Sequence, residues 1–203
     1  MSRPDIEIRP AAPDDAPALA DLLGAAFMDD PVSRWIFESD DDRRRLNAAF
    51  FRPFVDGILA TGVIHVADDH AGAALWLPVD VDAAPDGDDG LAEAIEQAIG
   101  PEYAKRFAVL DGLMSDAHPH DRDHAYLPFI AVRPDRQGTG VGTALLRHRF
   151  AELDPAGAPA YLEASSERSA ELYARLGFRR LDYTLDLPDG PSLYPMWREP
   201  AAG

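Results

Sequence analysis

The chain has 203 residues, 46% hydrophobic and 27% charged, with a formal net charge of −17, the proportions of one soluble globular domain spanning residues 1–203. It has no cysteine, which excludes disulfides, thiolate nucleophiles and Cys-ligated zinc. No apolar run approaches the roughly 20 residues of a membrane helix, and an acidic surface with Lys105 as its only lysine repels the phosphate backbones of nucleic acids.

The opening segment lacks the apolar core of a secretory signal, so the expected location is the cytoplasm. Three readings fit the acidity: a solvated surface, adaptation to a salty cytosol or a lysine-poor genome, or attraction of a cationic substrate. In chain order, Ile6 to Arg9 alternates apolar and charged residues like a short strand. Pro13-Asp14-Asp15 starts a helix with Leu19, Leu22, Leu23, Ala26 and Phe27 on one face, and Asp29-Asp30-Pro31 breaks it. A second helix is expected from about Asp41 to Leu59, with Leu46, Phe50, Phe54 and Ile58 in register. Val63 to Ala67 and Ala73 to Leu77 read as strands around a turn. A surface loop over Ala83 to Gly90, helices over Leu91 to Ile99 and Glu102 to Leu113, and a polar loop from Ser115 to His124 follow.

The second half carries sharper signals. Ala125 to Val132 suits a buried strand, with Pro128 placed where a bulge is expected. After Arg133-Pro134-Asp135 comes Gln137-Gly138-Thr139-Gly140-Val141-Gly142 and then a helix from Thr143 to Leu153. Pro159 to Ala164 is a strand, and Ser169 to Leu176 a helix closed by Gly177. Phe178 to Leu187 and Ser192 to Trp197 read as two final strands. The order is mixed α/β. A strand feeding a glycine-rich turn and a helix aims backbone N–H groups at one point, where the helix dipole favours an anion. A P-loop needs lysine where Thr143 stands, and the dinucleotide fingerprint needs glycine there. On spacing alone an anion-binding loop and a purely structural helix start both remain open.

Gln137-x-x-Gly140-x-Gly142 resembles the Q/R-x-x-G-x-G/A motif of the GCN5-related N-acetyltransferase (GNAT) family. The flanking strands LPFIAVRPDRQ and PAYLEAS, and the stretch LYARLGF from Leu172 to Phe178, stand in that family's order. Segments such as AAFMDDP and DLPDGP are similar to its puromycin N-acetyltransferase-like branch. The resemblance implies a mixed, mostly antiparallel sheet of about seven strands, splayed between strands 4 and 5 and flanked by helices. It implies acetyl-CoA as co-substrate, with its pantetheine arm along Ile130, Ala131 and Val132. Its pyrophosphate would rest on the turn formed by Gln137, Gly138, Thr139, Gly140, Val141, Gly142 and Thr143, with Arg133, Arg136 and Arg147 near the phosphates. Ser169 stands where relatives often carry a cofactor-contacting asparagine.

The implied reaction is direct attack of a small-molecule primary amine in a ternary complex. Tyr173 matches the tyrosine that protonates the leaving thiolate, a backbone N–H around Val132 serves the oxyanion, and Glu163 is the candidate base. Phe27, Asp29, Asp30, Trp35, Trp76 and Tyr126 are candidates to line the acceptor site, a set that suits an amine with an apolar body. His65, His118, His120 and His124 show no zinc-ligand spacing, so no metal is expected. The protein is expected to be a monomer or homodimer without nucleic-acid or membrane partners. A non-catalytic acyl-CoA sensor, and an enzyme acting on a peptide N-terminus or lysine, are the alternatives.

Overall fold

The computed structural model describes residues 6–83 and 90–201; most of the loop expected over residues 83–90 lies outside them. The strand β1 (Ile8–Pro10) precedes the helices α1 (Ala16–Ala26), α2 (Pro31–Ile36) and α3 (Asp40–Thr61). The hairpin β2 (Val63–Ala67) and β3 (Gly72–Val79) leads to α4 (Leu91–Ile99) and α5 (Pro101–Ala117). Then come β4 (His124–Val132), α6 (Val141–Leu153), β5 (Ala160–Ala164), α7 (Glu167–Ala174), β6 (Arg179–Arg180), β7 (Leu185–Asp186) and β8 (Ser192–Arg198). The sheet runs β1-β2-β3-β4-β5-β8-β6, and β7 also pairs with β8. Among the described residues only the β4–β5 pair is parallel.

The hydrophobic pattern builds two layers of core, one on each face of the sheet. Successive strand side chains point to opposite faces, so Ala73 and Leu75 of β3 join one cluster while Ala74 and Trp76 join the other. The first cluster takes α1, α3, α4 and α5, and the second takes α6 and α7. Leu46, Phe50 and Ile58 of α3 are buried, as their spacing predicts. Phe51 and Val55 are buried too, because α3 is wedged between α1 and the sheet and needs a wider apolar face than one stripe. Asn47 ties the helices together: its amide donates to the Gly24 carbonyl at 3.2 Å and its carbonyl accepts from the Ser33 hydroxyl at 3.2 Å.

Several boundaries differ from expectation. The Asp29-Asp30-Pro31 break also starts α2: Asp30 is its N-cap and Pro31 its first residue, where proline loses no hydrogen bond. The polar stretch from Ser115 begins inside α5, which runs to Ala117. The helix expected over Ser169 to Leu176 lies at Glu167–Ala174, because Ser166 caps it by accepting from the Ser169 amide. Phe178 to Leu187 is not one strand but two pairs of residues, β6 and β7, which raises the strand count among the described residues to eight.

Two features of the sheet place the site. The β3–β4 register slips between Leu75 and Leu77: Leu75 faces Phe129 and Leu77 faces Tyr126. Leu127 and Pro128 together therefore oppose Trp76, the bulge that the proline announces. The β4–β5 ladder holds only at Ala125↔Ala160 and Tyr126↔Tyr161. Beyond Tyr126 the two strands part, and the remaining length of β4 has a free edge on that side.

Candidate active site

The parting of β4 and β5 opens a groove of about 630 Å³. Its first wall is the free edge of β4. The Arg133 amide donates to the Ala71 carbonyl at 2.9 Å on the β3 side. Backbone direction alternates along a strand, so the amides of Ile130 and Val132 face the groove while that of Ala131 faces β3. The Gln137 side-chain amide donates to the Val132 carbonyl at 3.3 Å, from the same open side. The second wall is the start of α6. Gly138 and Gly140 have φ of 75° and 98°, a backbone that side-chain-bearing residues adopt at a cost. Gly140 is the N-cap and supplies no side chain, so the first-turn amides of Val141, Gly142 and Thr143 point outward without an intrahelical acceptor.

The third wall is α7. Arg168, Leu172 and Arg175 share one face at i, i+4 and i+7, and all three line the groove. Neither arginine has an ion-pair partner among the described residues. Arg136 also lines the groove but is held by Asp68 at 3.0 Å. Arg133 is paired with Asp135 at 2.6 Å, and Arg147 is absent from the lining.

A second cavity, of about 300 Å³, lies behind the first, between the sheet and α3 and α5. The two share Phe27, Asp30, Ile130, Ser165 and Tyr173, so these residues mark the junction. Asp30 caps α2 by accepting from the Val32 and Ser33 amides at 2.9 and 3.2 Å, and it accepts the Ser165 hydroxyl from the end of β5. Burial pushes its carboxyl above the usual range. Burial, and then the charge of Asp30, raise the Tyr173 phenol well above its ordinary value. That keeps it a protonated donor.

Glu163 lines the inner cavity from β5. Burial raises its carboxyl to about 7, against the opposing pull of the Tyr126 and Tyr161 hydroxyls. Those hydroxyls lean toward it without closing an aligned bond: Oε1 and the Tyr161 hydroxyl are buried with no hydrogen-bond partner among the described residues. A carboxylate balanced near neutrality and facing empty space is equipped to take a proton.

The family is visible in sequence and fold together. The family model for the acetyltransferase (GNAT) domain matches residues 94–180. A solved structure described as histone acetyltransferase HPA2 and related acetyltransferase from Corynebacterium glutamicum is 31% identical, with 98% of each chain covered and a TM-score of 0.68. The chain belongs to the GNAT family of acetyltransferases. More distant structures share its fold. They include a mosquito arylalkylamine N-acetyltransferase like 5b at 18% identity, covering 96% of this chain and 100% of that one (TM-score 0.63). Another is a Drosophila melanogaster polyamine N-acetyltransferase at 16% identity, covering 96% and 100% (TM-score 0.63).

Members of this GNAT family generally use acetyl-CoA, and the groove fits that group on its own geometry. It offers an unpaired strand edge for an amide-bearing arm, outward amides at a helix start for a pyrophosphate, and two arginines without an ion-pair partner beside them. Ile130, Ala131, Val132, Gln137, Gly138, Gly140, Val141, Gly142, Thr143 and Ser169 line it. Thr139 does not; its hydroxyl turns back to the Arg136 carbonyl at 2.6 Å. Ala131 contributes surface, with its backbone turned to β3. Ser169 is engaged with Ser166 in the cap of α7.

The expected acceptor residues divide. Phe27, Asp30 and Tyr126 line the inner cavity. Asp29 lies in the outer groove, paired with Arg34 at 2.6 Å. Trp76 is 1% exposed in the α6-side core, because its position in β3 points to the other face. Trp35 donates its indole N–H to the Pro188 carbonyl at 2.9 Å and lies under Arg106; packing of α2 against the loop before β8 claims it. Sequence reasoning missed Ser165, Arg168 and Arg175. The arginines left a readable signal in their helical spacing with Leu172; Ser165 left none. The histidine spacing likewise hid a group that folding assembles: His65 of β2 with His148 and Glu152 of α6, their ligand atoms within 4.8 Å of one another. Glu152 there is held by Arg149 at 2.6 Å.

Proposed function

We propose that the chain moves the acetyl group of acetyl-CoA to a primary amine of a small molecule by direct attack in a ternary complex. The observation that carries this reading is the junction itself. A carboxylate raised to about 7 (Glu163) and a phenol kept protonated (Tyr173) line one cavity that opens into a groove shaped for the co-substrate.

When bound, acetyl-CoA supplies a thioester carbonyl at the junction. Glu163 takes a proton from the incoming ammonium, directly or through one water, and so produces the neutral nucleophile. The groove-facing amides of Ile130 and Val132 are the donors available to a developing oxyanion. Tyr173, lining both cavities, returns a proton to the leaving thiolate. Burial, with the charge of Asp30 behind it, keeps the phenol protonated, and Asp30 holds the α1–α2 turn against β5 through Ser165.

The test is thiol release from acetyl-CoA in the presence of small amines, comparing the wild type with Tyr173→Phe. The expected result is amine-dependent turnover that falls about 10²-fold in the variant, with an unchanged dissociation constant for coenzyme A. Tight coenzyme A binding with no turnover on any amine would favour an acyl-CoA sensor instead.

A further inference from the structure

We infer that His65, His148 and Glu152 bind a divalent transition-metal ion of the zinc class, and that the ion clamps α6 to β2. None of the three lines the groove or the inner cavity, so the site is separate from the one described above.

Strand alternation supplies the first ligand. Ile64 and Val66 point into the α3-side core, so His65 between them points to the α6 side of the sheet. On α6, Val141, Leu145, His148 and Glu152 follow one another at i, i+4, i+7 and i+11 along one face. Val141 and Leu145 are buried in the core of that side, and the two ligands lie further along, where the same face reaches β2. The His65 and His148 rings meet edge-on at 4.6 Å. One ligand atom from each of the three side chains lies within 4.8 Å of the others.

Two observations point to a cation there. His65 is 3% exposed, yet its imidazole makes no hydrogen bond among the described residues. Nδ1 is buried without a partner, and Nε2 stands 3.8 Å from Glu152 Oε1, beyond hydrogen-bond length. A buried polar group left in this state is costly, and an ion between Nε2 and Oε1 gives both atoms a partner. The second observation is the division of the Glu152 carboxylate. Oε2 accepts from Arg149 at 2.6 Å, while Oε1 is turned to His65. Ligating carboxylates are held in this way by a hydrogen bond from outside the metal shell. The Arg149 charge also opposes a cation, which keeps affinity below that of a closed structural zinc site.

Two imidazoles and a carboxylate suit zinc and its neighbours, whereas magnesium and calcium favour all-oxygen sets. Ligand bonds of about 2.0–2.2 Å place the ligand atoms roughly 3.5 Å apart. The Nε2–Oε1 spacing is close to that, and the exposed Glu152 and half-buried His148 close the remainder by side-chain rotation. The exposed side of the site leaves the fourth position to water.

The experiment titrates zinc chloride into tag-free, chelator-treated protein by calorimetry, beside His148→Ala and Glu152→Gln, and records Tm with zinc and with magnesium. The expected result is one zinc ion per chain, bound at least about tenfold more weakly by each variant. At about a hundredfold excess over Kd, zinc should raise the wild-type Tm by about 5 °C or more, and magnesium should not. Both residues lie two to three turns beyond the amide end of α6, so coenzyme A binding should be unchanged and reports that the variants are folded. His148→Gln serves if His148→Ala does not fold. Zinc bound as tightly by the variants as by the wild type would put the ion on another cluster, such as His118 and His124, and overturn the inference. A wild type that binds no zinc, or is stabilised equally by magnesium, would overturn it as well.

Discussion

The outer groove and the inner cavity meet at Tyr173 yet are built by different means. The groove is made largely of backbone: the free edge of β4 and the first amides of α6. The cavity is made of side chains gathered from α2, α3, α5, β4 and β5. Backbone geometry is encoded locally, by a proline that bulges a strand and glycines that permit positive φ. A wall of side chains is encoded only by which elements pack together. The first kind of site suits an invariant ligand, and the second can change its specificity by single substitutions without disturbing the first.

The sharpest way to break this division is Glu163→Gln. It should lower kcat by about 10²–10³-fold while leaving coenzyme A binding intact. The base works only when ionised, so wild-type activity should rise with pH through about 7 and level off above it, and the variant should lose that limb. A pH–rate profile identical in both proteins would remove Glu163 from the chemistry. Next in size is Gly140→Asp. It puts a side chain and a negative charge on a residue with φ of 98° at the helix start. It should weaken coenzyme A binding about tenfold or more by calorimetry, with the amine KM unaffected. Replacing Arg168 and Arg175 together by alanine should raise the acetyl-CoA KM by about 3–10-fold. The effect should shrink as salt is added, since both residues are exposed.

The smallest expected effect concerns the cavity's support. His118 lies edge-on to Tyr126 and Tyr161 at 4.8 and 4.9 Å, the two tyrosines beside Glu163. Burial, then His124 and His120, lower it from 6.5 to about 4. The unfolded chain therefore binds the proton more readily, so stability is present above about pH 6.5 and is lost as pH falls toward 4. The loss should reach about 1–3 kcal/mol. Chemical denaturation of His118→Gln at pH 7 and pH 5 should show a smaller drop than the wild type.

Much of the groove was legible because its signals are short-range. Gln137-x-x-Gly140-x-Gly142, the proline at 128 and the spacing of strand, turn and helix all act within about twenty residues. The cavity was only partly legible. Phe27, Asp30 and Tyr126 were expected in the acceptor site and line the inner cavity. Trp35 and Trp76 carry the same chemistry and were drawn elsewhere, one to the loop before β8 and one to the opposite face of the sheet. Residue type announces an aromatic wall, but strand register decides which side of the sheet receives it.

By itself the sequence determined the order of elements, the glycine turn, the bulge, and the strand and helix that carry Glu163 and Tyr173, since each follows from local conformational preference or spacing. Only the tertiary structure decided that the splay between β4 and β5 begins after Tyr126, that Ser165 holds Asp30 beside Tyr173, and that six phenylalanines from the turn after α1, α3, α5 and β4 line one cavity. Those are contacts between residues far apart in the chain, and packing, with no local signal to announce it, selects them.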